Sequence, residues 1–454
     1  MRKTLQSVID RLEATATIAH SFRARLRRRS VLSLPNVLIG IALLCGLALR
    51  SFWSLTRQAS GASGEAFNVA RAIAQGRGFA DAYMPGQGPT AHLMPISPMV
   101  AGAAYRWFGV HNPIAELLLF VWSSVLVFGA FLLLLRAFRR LGTPLWARIA
   151  AVSFLCLSPA YVAQEAVDFR IWEGGLASFL GALFLDTLLV MSDDGEATRP
   201  RLVLLAIVAA LLFFVNPPLG LGALACALVF GLTHLSRSKL LFASAVTAGA
   251  VAVLIVPWSI RNEAELSAFV PLRSDTGLEL ALANHPGAVS SKDPGRAFAE
   301  RLGAIHPAES QRAFAAMQSA GGEVAYSRML GRSAKDWIAA HPGAATQLAL
   351  QHVKQIFAPE PWQFSLFGTG KFTAMRALFA SLAGVGGLLG LLVALSRKRR
   401  GWIYPALFVL LPALSLAIFQ PVPRYTYLFY PVLAFCAADL LASLVAPVRR
   451  LTRG

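Results

Sequence analysis

The stretch NPIAELLLFVWSSVLVFGAFLLLLRAFRR, residues 112–140, decides the fold class. No charged residue stands between Leu117 and Leu135, and about 20 such residues in a helix cross the roughly 30 Å hydrocarbon core of a bilayer. A helix of a soluble protein would carry a polar face through this window. The stretch ends on Arg136, Arg139 and Arg140, the basic flank expected on the cytoplasmic side of a span. Apolar stretches of similar character lie at 31–52, 145–165, 173–191, 202–216, 217–234, 240–258, 376–395, 402–420 and 428–446. The sequence thus predicts an all-α polytopic membrane protein with about ten transmembrane helices. Asn216-Pro217-Pro218 either joins two spans in a hairpin or kinks one broken helix.

Composition agrees. Of 454 residues, 56% are hydrophobic and 14% charged, well below the roughly 25% charged residues of soluble domains. The net charge of +19 sits largely in short runs beside apolar segments, such as Arg27-Arg28-Arg29 and Arg397-Lys398-Arg399-Arg400, which indicates membrane anchoring and no nucleic-acid partner. With the basic N-terminus inside, threading ten spans leaves these runs cytoplasmic, so both termini are expected in the cytoplasm. Residues 1–30 form a cytoplasmic basic amphipathic segment preceding an uncleaved anchor. An N-terminal transmembrane module covers 31–258, with a first outer loop at 53–95. An outer (periplasmic), mainly helical domain covers 259–371, and a C-terminal transmembrane module covers 372–454. Cys45, Cys156, Cys226 and Cys436 lie in separate apolar stretches and are expected to be small packing residues.

Function is sought where polar residues gather at outer span ends, because the chain has no Walker-type loop, no His-Glu-x-x-His and no Cys/His cluster by spacing. The first outer loop holds a short amphipathic helix, with Ser63 as its cap, Ala66, Phe67, Ala70, Ile73 and Ala74 on one face, and Gly76 after its end. Such a helix is expected at the membrane surface. Glu65 stands in its first turn, a place the helix dipole alone favours for an acid. The proline-rich connector 88–98 contains His92 and either walls a cleft or returns the chain to the bilayer. Asp168, Arg170, Trp172 and Glu173 cluster between the third and fourth spans, as an interfacial ion pair with an aromatic belt or as a cleft. Arg261 and Arg424 stand at outer span ends, where arginine is disfavoured. Their guanidinium forks suit a phosphate, whether of a substrate or of bulk lipid, and Arg261 also has Glu263 nearby. Asp186 and Asp439 lie in apolar segments nearer their cytoplasmic ends and are expected to snorkel or to bond between helices.

Taken together, five blocks resemble the bacterial GT-C glycosyltransferases of the group that includes the protein O-mannosyltransferases and the lipid A aminoarabinose transferase. They are Gly64-Glu65 followed by 69–79, Gly88-Pro89-Thr90-Ala91 with Pro95-Ile96-Ser97-Pro98, Trp172-Glu173, Pro257-Trp258-Ser259-Ile260-Arg261-Asn262, and Arg424-Tyr425. The resemblance runs from about residue 60 onward. It implies transfer of a sugar from a polyprenyl-phosphate donor to a glycan, lipid or protein acceptor at the outer face, with inversion. By that resemblance Glu65 takes the place of the first-loop acid, although Gly64 stands where the mannosyltransferases carry an Asp. Arg424, Arg261 and Tyr425 are then expected on the donor phosphate, and His92, Asp168, Trp172 and Glu173 along the cleft. Some relatives use a divalent metal ion, and no dense carboxylate cluster here demands one. The competing readings are a transporter or lipid flippase, and a GT-C-like assembly subunit without catalysis.

Overall fold

The computed structural model describes residues 33–58, 64–158, 169–365 and 372–451. The protein is an all-α polytopic membrane protein, and among the described residues strand pairing is limited to one isolated bridge, Ala80 with Pro89. Each of the ten apolar stretches holds a helix. They are α1 (Leu34–Gln58), α4 (Pro113–Arg140), α5 (Leu145–Leu157), α6 (Gly174–Asp194), α7 (Arg199–Val215), α8 (Pro217–His234), α9 (Arg237–Leu266), α16 (Thr373–Ser396), α17 (Ile403–Leu416) and α19 (Tyr430–Leu451). Among the described residues, six are long and apolar enough to cross a membrane: α1, α4, α6, α8, α9 and α16. The expected ten full spans are thereby refined, because four of the helices fall short: α5, α7 and α17, at 13, 17 and 14 residues, reach about 20–26 Å at 1.5 Å per residue, and α19 is apolar only over Tyr430–Val445.

The Asn216-Pro217-Pro218 ambiguity resolves into a hairpin. Asn216 is extended, its side chain accepts from the Leu219 amide at 3.2 Å, and α7 packs along α8. Gly220 makes the tight reversal possible: a Cβ there would stand 2.1 Å from the Phe213 Cα. Elsewhere α4 runs along α6, α7 along α9, α8 along α17, and α16 along α19. On α16, Gly387 and Gly390 face the Leu433 and Cys436 carbonyls at distances that exclude a Cβ, the close small-residue approach typical of helices in lipid. Of the acids within apolar segments, Asp186 bonds between helices, to Arg136 of α4 at 3.2 Å, whereas Asp439 of α19 accepts from two residues of connecting turns, Thr143 at 2.8 Å and Arg399. Cys156, Cys226 and Cys436 are buried as expected, whereas Cys45 is exposed on α1.

Outside the bundle, α2 (Glu65–Ala74) and α3 (Ile96–Phe108) form an antechamber. The expected apolar face of α2 is present, but it packs on α3, with Ala66, Val69 and Ala70 fully buried. The helix is therefore fixed to protein on that face and does not simply float at an interface. Ser63 lies outside the described residues, and Gly64, at φ 102°, immediately precedes Glu65. In the segment expected to form the outer domain, residues 259–266 complete α9 and the rest is mainly helical: α10 (Thr276–Ala283), α11 (Pro286–Ser290), α12 (Pro294–Ile305), α13 (Gln311–Ser319), α14 (Glu323–Ala340) and α15 (Pro342–Phe357), followed by a 3-10 turn at Pro361–Phe364. Tyr326, Leu330 and Ala334 of α14 pack with Leu278, Ala281 and Leu282 of α10, so this domain has its own apolar core. A four-residue helix, α18 (Pro423–Thr426), stands just before the start of α19.

Candidate active site

Glu65 is the natural starting point, because its carboxylate is buried at the head of α2. Two imidazoles flank it. His306 Nε2, from the end of α12, lies 3.7 Å from Glu65 Oε1, and His92 Nε2 lies 4.0 Å away. The other ring nitrogen of His92 meets the Tyr83 hydroxyl at 3.0 Å and lies 3.7 Å from Asp275. Burial pushes His92 down to about 3, so at neutral pH it is an uncharged ring. Burial also opposes the charge on Glu65, but the cation Arg424, with smaller contributions from the two histidines and the backbone, reverses that and holds the carboxyl below its ordinary value. Since His92 is neutral, Arg424 is the charge that keeps Glu65 an anion.

Arg424 lines a small cavity together with Glu65, His306, Glu279 and Tyr425. Its guanidinium stacks 4.3 Å from the Trp172 ring centre and donates to the Tyr425 hydroxyl at 3.2 Å. Cation–π contact of this kind fixes a guanidinium plane without consuming its donors. Glu173, next to Trp172, accepts from Arg273 at 2.6 Å. The Trp172-Glu173 pair thus braces two arginines, one on α18 and one just before α10. Arg273 borders a second, larger cavity of about 420 Å³, mostly apolar, whose walls include Pro217, Leu221, Leu272, Leu416 and Phe419. Glu279 and Tyr425 line both cavities and so mark where they meet. Burial raises Glu279 to about 7 and Asp275 to about 6, and pushes the Tyr425 hydroxyl up, keeping it a donor.

Of the residues singled out by sequence, Glu65, His92, Arg424, Tyr425, Trp172 and Glu173 converge here. Asp168 lies outside the described residues. Arg261 does not stand beside Arg424. Its two terminal nitrogens donate to the Thr90 carbonyl at 2.7 Å and the Phe79 carbonyl at 2.6 Å, with the Trp258 and Phe79 rings against its plane. It is a clamp on the first outer loop. Sequence reading missed His306, Asp275, Glu279, Arg273 and Glu323, all from the outer domain. The one available signal was Arg273, Asp275 and Glu279 interrupting an otherwise apolar segment, with the two acids one helical turn apart.

Glu65, His92 and His306 each offer one ligand atom, all within 4.8 Å of one another. A carboxylate with two neutral imidazoles is a donor set suited to a zinc-like divalent ion, and the Tyr83 hydroxyl on the second nitrogen of His92 orients the ring as a ligand requires. The residues fit such an ion.

No protein-family model matches the chain, and no curated protein does. Solved structures do. The archaeal oligosaccharyltransferase AglB from Archaeoglobus fulgidus, in complex with an inhibitory peptide and a dolichol-phosphate, aligns with 92% of this chain and 51% of its own at 14% identity and a TM-score of 0.54. The Archaeoglobus fulgidus oligosaccharyltransferase in complex with Zn and sulfate aligns with 90% of this chain and 49% of its own, at 16% identity and a TM-score of 0.52. At these identities the likeness is one of fold. The chain spans about half the length of these proteins. ArnT from Cupriavidus metallidurans bound to undecaprenyl phosphate is a weaker likeness, with a TM-score of 0.35 at 16% identity over 89% of this chain and 77% of that one.

Proposed function

We propose that the protein is a membrane glycosyltransferase that moves a sugar, hexosyl or pentosyl, from a polyprenyl-phosphate donor to a glycan, lipid or protein hydroxyl at the outer face of a bacterial inner membrane, with both termini cytoplasmic. The observation that carries this reading is the meeting of two cavities at Tyr425 and Glu279, one apolar and one holding Glu65 and Arg424. The apolar cavity suits the first isoprene units of the donor, whose phosphate then lies within reach of Arg424, Arg273 and the Tyr425 hydroxyl. The sugar points toward Glu65.

In the reaction an acceptor oxygen attacks the anomeric carbon from the side opposite the phosphate. The carbon–oxygen bond to phosphate breaks, and its electron pair stays on the phosphate. That leaving group needs no proton, but its charge needs donors, which Arg424 and Tyr425 supply and which act most strongly in a dry site. The acceptor proton passes to Glu65. A carboxylate held below its ordinary value is a weak base, yet it suffices, because the acceptor proton becomes strongly acidic as its oxygen bonds to carbon. A divalent ion held by Glu65, His92 and His306 would supply Lewis-acid polarisation of the acceptor oxygen. Inversion follows from a single displacement.

The test is incubation of the reconstituted protein with a panel of labelled polyprenyl-phosphate sugars and membrane lipid extract. Consumption of one donor with release of polyprenyl phosphate is expected. Failure to consume any donor, by a protein whose thermal unfolding shows it folded, would refute the reading.

A further inference from the structure

Glu323 begins α14, on the far side of the first outer loop from the bundle, and is 5% exposed. A first-turn acid is ordinarily explained by the dipole of its own helix. Here the carboxylate reaches outward instead. One oxygen accepts from the Ala91 amide at 2.7 Å and the Ser274 hydroxyl at 2.9 Å. The other accepts from the Thr90 hydroxyl at 2.6 Å and the Gln87 side-chain amide at 2.7 Å. The Thr90 hydroxyl in turn accepts from the backbone N–H of His92 at 3.1 Å, so a continuous relay runs from Glu323 through Thr90 to His92. The same short segment is held from below by Arg261 on the Thr90 carbonyl, and laterally by the Ser274 amide on the Ala91 carbonyl at 3.0 Å.

We propose that Glu323 is a positioning residue: by binding Gln87, Thr90, Ala91 and Ser274 together, its carboxylate sets His92 against Glu65 and Asp275 beside His92. This inference rests on the proposed glycosyl transfer for its effect on rate, but not for its geometry. Among the described hydrogen bonds Glu323 reaches neither Glu65 nor an arginine; it acts through the 87–91 segment and Ser274, and its charge also faces Asp275 and Tyr83. A four-acceptor role admits no isosteric substitute. In Glu323→Gln one oxygen becomes an amide nitrogen: turned to the first pair it meets the Ala91 N–H, which can only donate, and turned to the second it is accommodated only if the Thr90 hydroxyl accepts and the Gln87 amide flips, which gives up the Gln87 oxygen's bond from the Tyr83 N–H. Thr90→Val keeps the shape of the relay residue and removes its hydroxyl, whereas Thr90→Ser keeps the hydroxyl.

The experiment compares the full-length wild type, Glu323→Gln, Thr90→Val and Thr90→Ser in one lipid. It measures amide hydrogen exchange across residues 84–94, affinity for undecaprenyl phosphate, and single-turnover consumption of the donor the wild type uses. Exchange at 87–92 should rise about tenfold in Glu323→Gln and Thr90→Val while α10 and α14 stay protected. Single-turnover rate should fall about tenfold to a hundredfold, the cost of a small misplacement of a reacting group, with undecaprenyl phosphate affinity within about twofold. Thr90→Ser should behave as wild type. Unchanged exchange at 87–92, an unchanged rate, or parallel loss of protection in α10 and α14 with loss of affinity would each overturn the positioning role. If the wild type consumes no donor, the proposed function fails, and the exchange pattern of the four proteins still decides whether the relay holds the loop.

Discussion

Replacing Arg424 by alanine removes the one side chain that both sides of the proposed reaction need. On the donor side it deletes a guanidinium that Trp172 holds 4.3 Å from its ring centre and that lines the cavity containing Glu65. Loss of a single preorganised donor to a developing anion costs about 10²–10³ in rate, or about 3–4 kcal/mol of transition-state stabilisation. On the acceptor side it deletes the cation that offsets burial at Glu65. Without it, burial dominates and the Glu65 carboxyl rises, so the acid limb of the pH–rate profile should move to higher pH. Arg424→Lys keeps the charge and loses the fork, so it should leave the acid limb near its wild-type position and recover part of the rate. Single-turnover rates across pH 4–9, taken as approximate limits for a soluble assay, separate the two effects. A folded Arg424→Ala protein with a wild-type rate and an unmoved acid limb would refute both halves of the argument.

Glu65→Gln should keep α2 docked and slow transfer by about 10²–10⁴-fold, because the amide fills the same space and takes no proton; single-turnover donor consumption measures it, and a near wild-type rate would return Glu65 to a helix-dipole role. Glu173→Gln should lower thermal stability by about 3 kcal/mol, the lower end for a broken buried pair because both partners keep some exposure, and should weaken undecaprenyl phosphate binding as Arg273 loses its brace; thermal unfolding and binding in nanodiscs test this, and no change in either would show the pair to be incidental. For topology, a periplasm-dependent reporter fused after Gly295 should be active and one fused after Arg400 inactive. The reverse pattern would invert the assigned sides.

The bundle was legible in the sequence because lipid imposes a local rule. Each spanning helix must satisfy its own backbone and present apolar side chains all round, so 112–140 announces α4 without help from any other residue. What the rule does not give is the length of a helix packed mostly against protein, and α5 and α17 are shorter than their apolar stretches suggested. Arg424 was legible for a related reason, since charge placed where the membrane disfavours it must have a partner, whereas Glu65, an acid that the helix dipole alone would favour, was singled out by the resemblance of its motif. At Arg261 the same reasoning about charge led to a phosphate, whereas the structure shows its guanidinium donating to two backbone carbonyls of its own chain. His306, Glu279 and Glu323 left no comparable trace. Their importance comes from contacts across long sequence separations, such as Glu323 with Ala91, 232 residues away, and helix-period patterning within the outer domain says only that they are surface or core.

Glu279 shows what such a residue can add once it is placed. It lines both cavities, and in the proposed reaction it stands beside the donor's path to Glu65. Burial raises its carboxyl to about 7; Asp275 and Glu65 push the same way, and Arg424 and Arg273 oppose them. Below that value Glu279 is neutral and can donate to a sugar hydroxyl or a phosphate oxygen. Above it the group carries a negative charge that faces an anionic donor. Affinity for a polyprenyl-phosphate sugar, whose diester keeps one charge throughout, should therefore fall as pH rises through 7. If the bound phosphate raises Glu279 by about one further unit, the fall approaches tenfold once pH exceeds both values. Glu279→Gln stays neutral at every pH, so its affinity should remain at the low-pH level and lose this dependence. Donor affinity measured between about pH 6 and 9 for both proteins decides the matter. Parallel curves for wild type and Glu279→Gln would mean that the charge opposing the donor resides elsewhere, with Asp275, raised to about 6, the next group to replace.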